Sequence, residues 1–233
     1  MQERWEGNWL RHQNSLVLVG SIPTPNLIRN FIKFEGWVYF FLPLCGGGNI
    51  MIKKRELTDC HKLYELMIDP AVFPFVRQKA NSYEEFLFLT KQTIEAEERG
   101  ELVSRTIVDE WGNPIGTINL FDINHQAGFL GTWLGKPYHG KGFNQVAKDM
   151  FFNELFYELN ISSVFMKIRK ENVRSINAAL KLPYVSIVNE TRKDIFEKIN
   201  HDTVIYDLFQ IEKDQFTLYQ YRNQTQQSEL KEA

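Results

Sequence analysis

The chain has 233 residues, 43% of them hydrophobic, with a net charge of −2 and two cysteines. That length suits one domain, or one domain with an appendage, and the apolar share is enough for a sizeable core. A near-neutral balance makes no electrostatic case for nucleic acid or an anionic membrane as partner, and Cys45 and Cys60 form neither a disulfide framework nor a CxxC site, which points to a reducing cytoplasm.

In chain order, the first fifty residues stand apart. They carry seven charged residues (14%), against 49 in the remaining 183 (27%), and three of the five tryptophans. Their longest apolar run, Trp37 to Leu44, is eight residues and contains Pro43. A membrane span needs about 20. No basic start leads into an apolar stretch and a small-residue cleavage site, so a signal peptide is not indicated. Gly46-Gly47-Gly48-Asn49-Ile50 precedes Met51. Every glycine codon begins with two guanines, so the message is guanine-rich ahead of a possible start codon, like a bacterial ribosome-binding site. The expectation is a working domain over 51–222, a polar and disordered tail over 223–233, and an atypical extension over 1–50. That extension reads as a misassigned start, a disordered segment or a piece packed on the domain.

From Met51 onward the pattern is regular. Ile52–Leu57 reads as an edge strand, and Asp59 can cap a helix to about Ile68, ended by Asp69-Pro70. Ser82 and Glu85 form a capping-box pattern for a helix to about Arg99, stopped by Gly100. Leu102–Val108, Ile115–Ile123 and Gly128–Leu134 read as strands, joined by turns at Glu110–Asn113 and Asn124–Gln126. A helix is predicted from about Asn144 to Leu159, with Ala147, Met150, Phe151, Leu155 and Leu159 on one face. Then come a strand at Val164–Ile168, a short helix at Val173–Leu182 and strands at Tyr184–Val188, Asp194–Lys198 and Thr203–Ile211. The class is α/β around a mixed, largely antiparallel sheet.

Chemistry concentrates at two places. Trp133-Leu134 end a strand, and His139-Gly140-Lys141-Gly142-Phe143-Asn144 opens the following helix. Gly140 and Gly142 lack Cβ, so a bulky anion can approach the backbone. A helix start offers unsatisfied N–H groups and a positive dipole end, and Lys141 adds a cation. Downstream, Glu171-Asn172-Val173-Arg174-Ser175 opens another helix, with Asn172 a possible N-cap. His12, His61, His125, His139 and His201 are scattered without an HxxxH or HExxH pair, so no metal site is expected.

This order of loop, helix, strand and Asn-x-x-Ser resembles the GCN5-related N-acetyltransferase (GNAT) superfamily, in particular its ribosomal-protein N-terminal acetyltransferase (RimJ/RimL) branch. In that family a Gln/Arg-x-x-Gly-x-Gly/Ala loop grips the coenzyme A pyrophosphate. His139 stands at the Gln/Arg position, Gly142 at the central Gly, and Asn144 where Gly or Ala is usual. Lys181-Leu182-Pro183-Tyr184 matches the family's Lys-x-Gly-Phe loosely. The resemblance covers about residues 51–215. It implies a GNAT-like fold, a mixed and twisted sheet flanked by helices, and transfer of acetyl from acetyl-CoA, the co-substrate, to a primary amine. By the same resemblance Trp133 and Leu134 pair their backbone with the pantetheine arm. His139 to Asn144 hold the pyrophosphate, Asn172 contacts the pantetheine, and Ser175 protonates the departing thiolate, with Tyr184 a second candidate acid.

The family often carries a Glu as base on the strand before the loop. Phe129 stands there, so the base is unassigned, with Asp122, His125 and Glu171 as alternatives. That departure keeps open a non-catalytic acyl-CoA sensor or docking module. A dinucleotide-binding domain is disfavoured, because GxGxxG is absent. The expected partner is an amine-bearing small molecule or peptide, met by a monomer or homodimer. The acceptor surface is expected from 69–81 and 184–200, with Phe73, Phe75 and Tyr83 as pocket candidates.

Overall fold

The computed structural model describes residues 31–34, 37–40 and 50–232. Its strands are β1 (Phe31–Phe34), β2 (Trp37–Phe40), β3 (Ile50–Lys54), β4 (Val103–Asp109), β5 (Pro114–Asn124), β6 (Ala127–Leu134), β7 (Ser163–Arg169), β8 (Ser186–Ile187) and β9 (Tyr206–Glu212). They form one sheet in the order β1-β2-β3-β4-β5-β6-β7-β9-β8. All neighbours are antiparallel except β6 and β7. That parallel pair needs a crossover, supplied by helix α3 (Phe143–Asn153).

Strand β5 shows how the sheet divides two chemistries. Side chains alternate across a strand. Ile118 and Leu120 face the main core, where α3 lays Val146, Ala147, Met150 and Phe151. Thr117, Asn119 and Phe121 face the opposite side, under α1 (Cys60–Met67) and α2 (Tyr83–Glu98). Those two helices close a second cluster on Leu63, Met67 and Phe86. The end of α3 widens into a π-helical turn, Glu154–Glu158. At its start Glu154 receives both Nε (3.0 Å) and Nη2 of buried Arg105, whose Nη1 donates to Glu97.

The helix starts are set locally. Ser82 Oγ accepts from Glu85 N at 3.1 Å, as its spacing implies, while Glu85 reaches back to Asn81 N at 2.7 Å. Asp59 precedes α1 but makes no capping bond, because its carboxylate is drawn to Lys53 Nζ at 2.9 Å.

Three expectations are corrected. Asp194–Lys198 is not a strand but lies in α5 (Lys193–Ile199), since Ile195, Phe196 and Ile199 share a helical face that covers Phe165, Val188 and Leu208. Residues 223–232 of the expected tail are helical. Helix α6 (Lys213–Glu232) runs through 223–232, a stretch without Gly or Pro, after anchoring fully buried Phe216. The strand at Tyr184–Val188 shrinks to β8, which pairs at Ser186 and Ile187. For the segment 1–50, the described parts are β1 and β2, which continue the sheet from β3, and Ile50, which is 2% exposed. Gly46–Asn49, on which the start-site argument rests, lie outside the described residues, and of the apolar run Trp37–Leu44 only Trp37–Phe40 is described. Among the described residues no helix is long and apolar enough to cross a membrane.

Candidate active site

Strands β6 and β7 pair only at Ala127–Ser163, Gly128–Val164 and Phe129–Phe165. Beyond Phe129 they part. β6 stays bonded to β5 as far as Leu134, and β7 stays bonded to β9 as far as Arg169. The result is a wedge. Its β6 wall, Leu130 to Leu134, has one backbone edge turned from β5 with no strand opposite among the described residues, and the Leu134 carbonyl at its end is met by His139 Nε2. Buried backbone N–H and C=O groups require partners, so an extended, amide-bearing chain fits this edge.

The open end of the wedge leads into the glycine loop. Gly140 and Gly142 have φ +75° and +80°, and a Cβ on either would meet nothing within 4 Å. They are needed for the left-handed backbone, not for lack of side-chain room. That backbone and the start of α3 present N–H groups to the solvent side, a concave site for an anion. Phe143 buries its ring in the core and can offer only its backbone. Asn144 is half-buried and accepts from Thr132 Oγ1 at 3.1 Å, which pins the helix start to β6.

The His139 ring is turned to two neighbours. Its Nε2 lies 2.8 Å from the Leu134 carbonyl and its Nδ1 3.3 Å from Arg174 Nη1. A guanidinium can only donate and a carbonyl only accept, so these contacts use Nε2 as donor and Nδ1 as acceptor. The ring thereby joins the loop to Arg174. The cations at the loop are Lys141, whose Nζ sits 5.7 Å from the Tyr138 ring, and Arg174. Arg174 stands inside the quoted downstream motif, and its approach to His139 brings the two motifs together in space.

Helix α4 (Val173–Leu180) begins at that contact. Asn172 Oδ1 accepts from Ser175 N at 3.2 Å, so Asn172 is the N-cap. Ser175 is half-buried in the first turn, and its hydroxyl makes no hydrogen bond among the described residues. Tyr184 does not stand at the wedge. It is 1% exposed among Phe152, Phe216 and Tyr219, and its hydroxyl donates to Asp149 Oδ1 at 2.7 Å. Burial, with Asp149 beside it, pushes the phenol far above its ordinary range. A phenol so held is a core residue and a poor proton donor, which corrects its place as candidate acid.

The alternatives for a base separate in the same way. His125 sits in the β5–β6 turn at the closed end of the wedge, where Gln126 O accepts from Ser162 N. Asp122 is exposed and paired to Arg77 at 2.7 Å. Glu171 is exposed just before α4. Phe129 packs 5.8 Å from Phe165, toward α5.

On the α1–α2 side of β6 lies a cavity of about 70 Å³. Trp133 and Gly131 form its β6 wall, Thr117, Asn119 and Phe121 its β5 wall, and Thr90 and Thr93 its α2 wall. Trp133 thus packs its side chain here, and its backbone pairs with Thr117 of β5. The loop after α1 adds Phe75, Val76, Arg77 and Gln78. Of the three aromatic candidates only Phe75 lines the cavity, while Phe73 and Tyr83 pack into the α1–α2 cluster. Arg55, just past β3, is the lining residue that sequence reasoning missed. It carried no motif, and its place depends on the β3–β4–β5 pairing.

The model of the acetyltransferase (GNAT) domain family matches residues 49–184. Solved structures of similar fold include a spermidine N-acetyltransferase from Vibrio cholerae in complex with CoA and spermine (15% identity, TM-score 0.59, covering 72% of this chain and 98% of that one). They also include Mycobacterium smegmatis RimJ in complex with CoA-disulfide (11%, 0.56, 71% and 82%) and RimL, a ribosomal L7/L12 alpha-N-protein acetyltransferase (14%, 0.57, 82% and 98%). At these identities the likeness is one of fold. No curated protein matches the chain in sequence.

Proposed function

The chain belongs to the acetyltransferase (GNAT) domain family, and from that premise we propose that it is an acetyl-CoA-dependent N-acetyltransferase acting on a primary amine. The observation that carries this is the parting of β6 and β7 beyond Phe129–Phe165, with two left-handed glycines at the open end and a cavity alongside. The residues fit the coenzyme. The Gly140–Phe143 backbone, Lys141 and Arg174 suit its phosphates, and the free edge of Leu130–Leu134 suits its amide-bearing arm.

Acetyl-CoA supplies an acetyl group activated as a thioester. The chain's task is to hold that carbonyl beside the amine, since orientation of bound reactants can supply several kcal/mol toward the barrier. The acceptor nitrogen forms a bond to the carbonyl carbon, the carbon–sulfur bond breaks and the amine proton leaves to solvent; in this reading Ser175, whose hydroxyl makes no hydrogen bond among the described residues, protonates the thiolate and regains its proton from solvent. Attack requires the free base. At pH 7 a lysine amine of pKa ~10.4 costs roughly 4–5 kcal/mol to neutralise, an α-amine near 8 about 1–1.5 kcal/mol. Among the described residues no Asp or Glu lines the cavity. The acceptor that suits this site is therefore an α-amine or another weakly basic amine.

The test is a thiol-release assay with acetyl-CoA and an amine panel. Turnover of α-amines well above lysine side chains is expected. Robust lysine-side-chain acetylation without α-amine turnover would overturn the acceptor class. Tight CoA binding with no turnover of any amine would favour the acyl-CoA sensor, the reading that Phe129 and the acid-free cavity keep in view.

A further inference from the structure

Two arginines of this fold make an informative pair. Arg105 is buried and met by two carboxylates, Glu97 and Glu154. Arg55 enters the cavity and is met by none among the described residues. Its Nη2 donates to Thr90 Oγ1 at 3.0 Å, its guanidinium carbon lies 6.0 Å from the Phe86 ring, and its Nε is sealed from solvent without a partner. Asp59, whose field reaches Arg55, touches Lys53 through Oδ1 at 2.9 Å and makes no hydrogen bond to the guanidinium, its buried Oδ2 having no partner. Desolvation holds the Arg55 guanidinium down at about 10, still a cation at neutral pH. At the rim, Arg77 stacks 4.3 Å from the Phe121 ring and gives only Nη2 to Asp122.

A desolvated cation without a counter-ion is costly, and a ligand that brings the missing anion removes that cost. The remaining Arg55 donors form a planar fork suited to a carboxylate. Resting on the acetyltransferase reading above, we propose that the cavity is the anion-binding end of the acceptor site, and that the accepted amine carries a carboxylate that pairs with Arg55 and is flanked by Arg77. The substrate class is then an amino acid or an amine-terminated segment with an acidic side chain. Polyamines are rejected, because two cations and no acid meet them in the cavity.

The experiment is thiol release by the full chain from acetyl-CoA, with matched acceptors in two arms. The first compares γ-aminobutyrate with its amide. The second compares a C-terminally amidated seryl-glutamyl peptide with its C-terminally amidated seryl-glutaminyl partner. Spermidine is the counter-example. In at least one arm the acid exceeds its amide by about tenfold or more in kcat/KM, as for sites whose polar groups are left unpaired by the wrong substrate, and the arm that responds identifies the source. Arg55→Gln brings that ratio close to one through KM, Arg55→Lys keeps part of it, and Arg77→Gln lowers it less. Equal rates for acid and amide, preference for spermidine, or a ratio retained in Arg55→Gln would overturn the proposal. If no amine turns over while CoA binds, calorimetric titration of N-acetyl-γ-aminobutyrate and its amide into the CoA-loaded protein reads the same preference, and equal affinities overturn it. Failure to bind CoA counts against the acetyltransferase reading itself.

Discussion

The glycine loop and the acceptor cavity lie along the same strand, β6, and are built on opposite principles. The loop is made of backbone. Gly140 and Gly142 take left-handed conformations, α3 starts immediately after, and the nearby cations sit at the surface. Apart from Arg174, its parts come from eleven consecutive residues, Leu134 to Asn144, which include the start of α3. The cavity is made of side chains drawn from β3, α2, β5, β6 and the loop after α1. A backbone site suits a co-substrate shared by many enzymes, because it recognises phosphate and amide groups without reading identity. A side-chain site can be rebuilt one residue at a time, which is why we propose the cavity as the place of acceptor choice.

The sharpest contrast concerns charge that is already paired. Glu154→Ala leaves Arg105 buried with one of its two carboxylates gone, and is expected to cost about 3–5 kcal/mol of stability in denaturant unfolding. Arg55→Gln removes a cation that has no carboxylate partner, and should cost much less. Equal losses would break the distinction between a structural and a ligand-facing arginine. Within the loop, Gly142→Val places a β-branched residue at φ +80°. CoA affinity should fall by about a hundredfold or more, roughly 2.7 kcal/mol, with far-ultraviolet dichroism unchanged. Unaltered affinity in a calorimetric titration would remove the loop from the site.

Tyr184→Phe deletes a buried hydroxyl and leaves Asp149 short of one donor. A loss of about 1–3 kcal/mol of stability is expected, with the pH profile of kcat unmoved. A displaced alkaline limb would return Tyr184 to the chemistry. The smallest effect belongs to the exposed cations. Lys141→Ala or Arg174→Ala should weaken CoA binding by roughly 0.3–1 kcal/mol each, and high salt should erase most of the difference. His139→Gln tests whether His139 acts by orienting Arg174, since it should match Arg174→Ala and add little to it in the double variant.

The same contrast explains what was legible in the sequence. Local signals survived. The Ser82–Glu85 pattern, the β5–β6 turn and the strand–glycine–helix order of the loop all depend on neighbours in the chain. The Asp194–Lys198 segment failed because five residues with two adjacent apolar side chains fit either period, and contact with Phe165 and Leu208 decides for helix. Helix α6 failed because its polar composition hid Phe216, a single anchor that acts only through tertiary packing. Tyr184 was placed by position in a motif, and its burial against Phe216 could not be read from there. Arg55 shows the limit most clearly. Nothing around it in the chain marks a site, and its partner-poor environment is a property of the folded sheet. The loop over 69–81 lines the cavity through residues 75–78, and which of its aromatic side chains turns inward, Phe75 rather than Phe73, is again set by packing.

The central claim is that one co-substrate lies along the free edge of β6 and ends on the glycine loop. Amide hydrogen exchange, followed with and without CoA, tests it residue by residue. The account predicts added protection at Leu130–Leu134 and Gly140–Asn144, with α1 and α2 unchanged. Protection confined to the α1–α2 side, or none anywhere at saturating CoA, would contradict it.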